Sequence, residues 1–225
     1  MWVETLTGFI FSTGTIVLAA AAMQTVGYVF SSQITLRIFL LLGTLLYLIY
    51  YFVAAEDPLW PAIFGTICIG ATSVYGLGRA LANRSKWTIT KDQLPIFEAM
   101  SEIEPGAFRK LMKDAHIKTF DAPTLMTEHG KVPEHVFYTL DGAVDVLKSN
   151  MTFSIERFNF IGEISIIGGF GATATVHSRA QTKVVMWDRA KLLAKMQRDE
   201  RFRIAVEALF SKDMATKLAQ AAKIS

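Results

Sequence analysis

The sequence predicts a two-part chain: three membrane-spanning α-helices, then an α+β domain built as a small β-roll or jelly roll flanked by helices. Three observations predict it. Charge is spread very unevenly, apolar runs of membrane length recur three times near the N-terminus, and the hydrophobic period changes from helical to two near residue 116. Of the 225 residues, 52% are hydrophobic and 19% charged, against about 25% charged in ordinary soluble domains. Residues 1–82 hold only Glu4, Arg37, Glu56, Asp57 and Arg79. The other 143 residues carry 21 Lys and Arg and 17 Asp and Glu, a net +4. This split excludes a simple soluble enzyme, a disordered chain and a disulfide-rich secreted module. Cys68, the single cysteine, lies in an apolar run and can staple nothing within the chain. The overall charge of +3 leaves no electrostatic footprint for nucleic acid.

A span needs about 20 mostly apolar residues to cross about 30 Å. Thr5 to Leu36 is free of charge, with its apolar heart at Gly8–Phe30; Ile38–Ala55 and Pro58–Gly78 are free of charge as well. The predicted spans are 8–30, 34–54 and 59–81, and residues 83–92 form a linker to a domain over 93–225. The first span has no basic start and too long an apolar stretch for a cleavable signal peptide. Buried core helices of a soluble protein are the alternative, and three charge-free runs with little polar face argue against it. The first connection carries Arg37, the second Glu56 and Asp57, and the segment after the third span Arg79, Arg84 and Lys86. The excess of Lys and Arg on the inner side then puts the N-terminus outside and the C-terminal domain in the cytoplasm, in a plasma or bacterial inner membrane. Trp2, Tyr50, Tyr51 and Trp60 fall near the interfaces, where aromatic rings settle. No span has an ionisable residue near its middle, which argues against a transporter or pump. Ala62, Thr66 and Gly70 form a small-residue ridge that suits a partner helix or ordinary packing inside the bundle.

Past the linker, Ser101–Glu104 reads as a capping box with Pro105 just inside a helix running to about Ala115. Short strands follow at 116–120, 124–128, 135–141, 143–148, 152–157, 173–177 and 183–187, separated by Asp, Gly and Pro breaks. Asp141-Gly142 suits the tight turn of a hairpin between its flanking strands. From Arg189 the spacing is helical, with an apolar stripe through Phe202, Val206, Leu209, Met214 and Leu218 that serves either dimerisation or packing on the β-roll. Between the late strands, Phe160–Val176 holds four glycines and one acid, Glu163. A glycine-rich turn can offer backbone N–H groups to an anion. A carboxylate there can accept hydrogen bonds from ligand hydroxyls, or be a solvated turn acid.

That stretch resembles the phosphate-binding cassette of cyclic nucleotide-binding domains. Gly162-Glu163-Ile164-Ser165-Ile166-Ile167 aligns with its Gly-Glu-Leu/Ile-Ala-Leu-Leu, and Ala174-Thr175-Val176 with its closing Ala-Thr-Val, without a gap. Leu94–Phe97, Glu128–Gly130 and Val136–Gly142 resemble the family's first helix, glycine turn and central hairpin, so the likeness covers about 93–195. The layout of three spans followed by one such domain is similar to that of Popeye domain proteins. So are Trp187-Asp-Arg189-Ala-Lys191-Leu192 and Ser211-Lys-Asp213-Met-Ala215-Thr-Lys217-Leu218, and the chain resembles a bacterial relative of that family.

The resemblance implies cyclic AMP, or cyclic GMP, as ligand. It implies that Glu163 accepts the ribose 2′-hydroxyl and that amides around Gly162, Ile164 and Ser165 hold sugar and phosphate. Thr173 would offer an amide and a hydroxyl to phosphate, and Thr175 is the one match of Ala172-Thr173-Ala174-Thr175 to the Popeye Phe-Gln-Val-Thr stretch. The family's Pro-Arg pair is Gly171-Ala172 here. The missing charge-assisted contact is worth about 1.5–3 kcal/mol, or roughly ten- to a hundredfold in affinity. Popeye proteins also lack that arginine and are reported to bind cyclic AMP. Arg157, Arg179 and Lys183 are substitute cations by sequence, each also readable as a solvated surface charge.

The four histidines, His116, His129, His135 and His177, do not stand at metal-ligand spacing, and no P-loop, nucleophile elbow or zinc pattern occurs. The expectation is a non-enzymatic ligand sensor without cofactor or metal, homodimeric, with the lipid bilayer and a cyclic nucleotide as partners and an unidentified effector. The rival expectation is a membrane-anchored scaffold whose pocket no longer binds nucleotide.

Overall fold

A computed structural model of the chain describes residues 13–53, 57–86, 89–100, 103–148 and 151–224. It divides into two compact units, Met1–Arg84 and Ser85–Ser225. In the first, α1 (Thr13–Val29) packs on α2 (Gln33–Val53), and α2 on α3 (Trp60–Arg84). Small residues permit the close approach. A Cβ at Gly43 would stand 2.9 Å from the Ala20 carbonyl, so α1 and α2 would have to separate. The Phe30 and Phe39 rings stack at 5.3 Å beside that contact. A Cβ at Gly70 would meet the Thr44 methyl of α2 at 3.5 Å, so this member of the predicted ridge faces the bundle. Thr25, Thr44 and Thr66 donate to carbonyls one turn back, at 2.7–2.8 Å, which satisfies their hydroxyls in apolar surroundings.

Arg37 belongs to the second turn of α2 rather than to the connection, which is residues 30–32, and its guanidinium lies over Gly76 of α3. At 21 and 25 residues, with mean hydropathies of 2.0 and 1.3 over their most apolar 18-residue stretches, α2 and α3 are long and apolar enough to cross a membrane. The described part of α1 has 17 residues. The start of the predicted 8–30 span lies outside the described residues, as do Trp2, Glu4 and Glu56.

The second unit begins with α4 (Leu94–Ala99) and α5 (Pro105–Met112). Ser101 of the predicted capping box lies outside the described residues, and the N-cap of α5 is Glu104, without a side-chain bond. Pro105 sits in the first turn, where a missing N–H costs nothing. The helix ends at Met112, ahead of the predicted Ala115. Eight strands follow among the described residues: β1 (His116–Phe120), β2 (Thr124–Thr127), β3 (His135–Asp141), β4 (Val144–Lys148), β5 (Met151–Ile155), β6 (Phe160–Ile161), β7 (Thr175–Ser178) and β8 (Thr182–Asp188). They form two four-stranded antiparallel sheets, ordered β1-β8-β3-β6 and β2-β7-β4-β5. After them come α7 (Arg189–Arg198) and α8 (Glu200–Ile224).

The central strands β3 and β8 of the first sheet are buried on both faces, while the edge strand β1 is largely exposed. Val136 and Tyr138 of β3, with Val185 and Trp187 of β8, pack against the helices, while Phe137 and Val184 face the second sheet. This explains why β3 and β8 lack a polar alternation. The predicted hairpin at Asp141-Gly142 is not one. β3 pairs with β8 and β6, whereas β4 pairs with β5 and β7. A register shift between Thr139 and Asp141 breaks the ladder. Gly142, at φ +83°, packs on the Thr182 backbone and carries the chain to the other sheet. Pairing, not turn chemistry, therefore decides the topology here.

Candidate ligand pocket

Strand β6 sets the site. Phe160 and Ile161 pair with Tyr138 and Phe137 of β3, and the Phe160 ring packs on Tyr138 at 4.5 Å and Phe210 at 4.8 Å. Gly162 then adopts φ +88°, left-handed backbone that an L side chain resists, and a Cβ there would also crowd the His135 carbonyl at 3.2 Å. This turn launches α6 (Glu163–Gly168), closed by Gly169 at φ +70°. The segment read from sequence as a glycine-rich turn is thus a short helix between two left-handed glycines.

The helix opens onto a cavity of about 280 Å³. Its walls are largely apolar: Val146, Phe153 and Ile155 of the second sheet, Ile161, Ile164, Ala172, Ala174 and Val176, and Met214 and Leu218 of α8. Polar groups enter from Thr127, Lys148, Glu163, Ser165, Thr173 and Lys217. Of the predicted site residues, Gly162, Glu163, Ile164, Ser165 and Thr173 come together on this wall. Thr175 does not line it, and its hydroxyl accepts the His129 N–H at 3.1 Å. Ser165 is fully buried, and both its N–H and its hydroxyl donate to the Gly162 carbonyl, at 3.2 and 2.7 Å. That amide is committed to the helix rather than presented to an anion.

Glu163 is 3% exposed and is no solvated turn acid. Its Oε1 accepts from Lys217 Nζ at 2.8 Å. The same ammonium donates to the Phe160 carbonyl and lies 2.5 Å from Asp213 Oδ2 as a charge contact. Asp213 Oδ1 accepts the Phe160 N–H at 3.3 Å. Burial pushes the Glu163 and Asp213 carboxyls above the usual carboxylate range, and the Lys217 charge opposes that rise. Burial also raises the Tyr138 hydroxyl, reinforced by the Asp213 charge.

A carboxyl raised in the folded state favours folding below its unfolded pKa and loses that contribution as pH rises through the raised value. Wild type is therefore expected to gain stability relative to Glu163→Gln as pH falls from the neutral range toward the usual carboxylate range. Denaturant midpoints of both chains at the two ends of that interval check this. A difference independent of pH would show that Glu163 titrates alike folded and unfolded.

The cations named from sequence face elsewhere. Arg179 makes a bidentate pair with Asp145, its shortest contact 2.6 Å. Arg157 lies over the Phe158 ring, and Lys183 does not line the cavity. The cavity's cations are Lys148 and Lys217, which sequence reading missed. The Asp213–Lys217 spacing of four was visible within the Popeye-like run, but its target is 54 residues away and only the fold supplies it. At the position of the family's phosphate arginine, Ala172 is buried. Its N–H donates to the Lys131 carbonyl and its carbonyl accepts from the Gly130 N–H, both at 2.8 Å. A Cβ at Gly171 would overlap the Gly130 carbonyl. This close approach requires glycine where the cassette pattern has proline. Among the described residues, no group of three or more His, Cys, Asp or Glu could hold a metal ion.

No family model and no curated protein matches the sequence. Solved structures do. A Geobacter metallireducens protein assigned to cyclic nucleotide binding superposes with a TM-score of 0.51 at 14% identity, covering 58% of this chain and 99% of that one. A cyclic nucleotide-binding domain from Methylobacillus flagellatus gives 0.50 at 16% identity, covering 57% and 79%. At such identities the likeness is one of fold: the β-strand domain with its flanking helices is of the cyclic nucleotide-binding type.

Proposed function

We propose that this chain is a non-enzymatic membrane protein that senses cyclic AMP or cyclic GMP, a Popeye-like receptor with its N-terminus outside and its ligand domain in the cytoplasm. One observation carries the reading. A left-handed Gly162 delivers a buried carboxylate, Glu163, to the wall of a 280 Å³ cavity in a β-roll. In that role Glu163 accepts the ribose hydroxyl, Thr173 faces the phosphate, and the apolar walls take the base. The apolar outer surface of the first unit, with Leu18, Phe64 and Ile69 each more than 60% exposed, supports burial in lipid. Ligand would favour one arrangement of the C-terminal helices and pass it to the spans or to an effector. A homodimer is part of the proposal, but the apolar stripe of α8 does not carry it, because Phe202, Val206 and Leu209 are buried in the domain's own core. Ala172 and the pairing of Glu163 with Lys217 favour the second reading, a membrane-anchored scaffold with a silent pocket.

Calorimetric titration of the full chain in lipid nanodiscs with each nucleotide separates the two. Binding is expected, and Glu163→Ala is expected to weaken it roughly ten- to a hundredfold, the worth of a hydrogen bond to a charged group. Unchanged affinity would remove Glu163 from the site. A chain that gives no heat at millimolar nucleotide, even with an arginine placed at 172, would favour the scaffold.

A further inference from the structure

Helix α8 closes one wall of the pocket and puts an ammonium on Glu163 Oε1, an acceptor that a ligand's hydroxyl would use. Lys217 Nζ meets three oxygens, those of the Phe160 carbonyl, Glu163 and Asp213. An ammonium has three donors and no acceptor, so it has a neighbour for each. The Glu163 side chain is 4% exposed and that of Lys217 21%, so the pair lies at the inner wall rather than at the rim. To a carboxylate, N–H donors of an ammonium and O–H donors of a sugar are alternatives, and both cannot use the same oxygen in the same direction.

We propose that Lys217 is an internal competitor for Glu163, a latch that holds the end of α8 against the empty pocket until a hydroxyl-bearing ligand displaces it. The inference rests on the function proposed above and adds the means by which occupancy reaches the helix. On displacement Asp213, one turn earlier on the same helix, moves with Lys217 as its partner, and the ligand's hydroxyl takes the place of Lys217 on Glu163, at the cost of the Asp213 and Lys217 bonds to the Phe160 backbone. Burial falls along the helix, which is continuous through this region. Phe210 is fully buried against Phe160, whereas Leu218, eight residues on, is 71% exposed. The part before Phe210 stays in the core, and the part carrying Asp213, Met214, Lys217 and Leu218 can move away. An occupied latch lowers apparent affinity by the fraction of molecules left open.

The test uses the full chain in nanodiscs, with cyclic AMP and cyclic GMP as probes. Lys217→Met is expected to bind about tenfold more tightly than wild type, the gain from removing a competitor that holds most molecules closed. Lys217→Gln, which keeps side-chain length and a donor, serves if the apolar variant does not fold, with the same direction expected. Hydrogen exchange on wild type with nucleotide should show faster exchange of amides after Phe210. Tighter binding by the variants supports the latch, including the case in which wild type is silent and a variant binds. Wild-type binding that a variant leaves unchanged or weakens overturns the latch and leaves the sensor standing. Silence from wild type and both variants overturns latch and sensor together.

Discussion

Trp187→Ala is expected to destabilise the second unit by about 3–5 kcal/mol, the usual cost of truncating a buried tryptophan. Trp187 is 2% exposed and belongs to the cluster joining the first sheet to α5, α7 and α8. Its indole N–H donates to the Leu111 carbonyl at 2.8 Å, so truncation leaves both a cavity and an unpaired buried acceptor. Trp187→Phe separates the terms: it keeps most of the volume and is expected to lose about 1–3 kcal/mol for the stranded carbonyl. Denaturant unfolding of the full chain, followed by circular dichroism, reads both. A loss under about 1 kcal/mol for the alanine variant would mean that neighbouring side chains refill the space. The effect should reach the pocket, since the Phe160 ring, which starts the cassette, lies 6.2 Å from the indole.

Ala172→Arg is expected to tighten cyclic AMP binding about ten- to a hundredfold, by adding a charge-assisted contact to the phosphate. Adenosine, which has no phosphate, should bind as before. The backbone at 172 is already fixed by its two hydrogen bonds to the Gly130–Lys131 loop, so the new side chain starts from a defined position on the pocket wall. Without ligand, the guanidinium is a buried cation lacking a partner, and the empty domain should melt earlier. Thermal shifts with and without each ligand check the whole pattern. Equal tightening for cyclic AMP and adenosine would place the phosphate elsewhere. The neighbouring proline is not worth restoring, because Gly171 lies too close to the Gly130 carbonyl to carry a side chain.

The strands of the β-roll were legible where the hydrophobic period was two and turn residues bounded it. β1 and β3 match the sequence reading residue for residue. What escaped is what pairing decides. Asp141-Gly142 has the local chemistry of a hairpin, yet the strands it joins find better partners in different sheets. Strand β6 is two residues long, too short for any periodicity, and α6 is six residues between glycines that mask its helical character. At the candidate site, the motif named Gly162 and Glu163, and their turn into a buried cavity wall follows from backbone sign and burial. Lys217, Asp213 and Lys148 were not found, because a side chain on a distant helix or strand becomes part of a pocket only through tertiary packing. Thr175 was misplaced for the opposite reason: in β7, Val176 turns into the cavity and Thr175 turns to His129.

The edge strand β1 has a single partner, β8, with His116 opposite Met186 roughly 70 residues along the chain. Loops of that length close slowly, because their entropy is lost before any contact is gained. On the ribosome the first sheet therefore cannot be completed until β8 has emerged, by which time the three apolar helices have long been synthesised. The order of events is thus fixed by connectivity: the apolar helices are made before the β-roll, whose first sheet closes only once β8 is available.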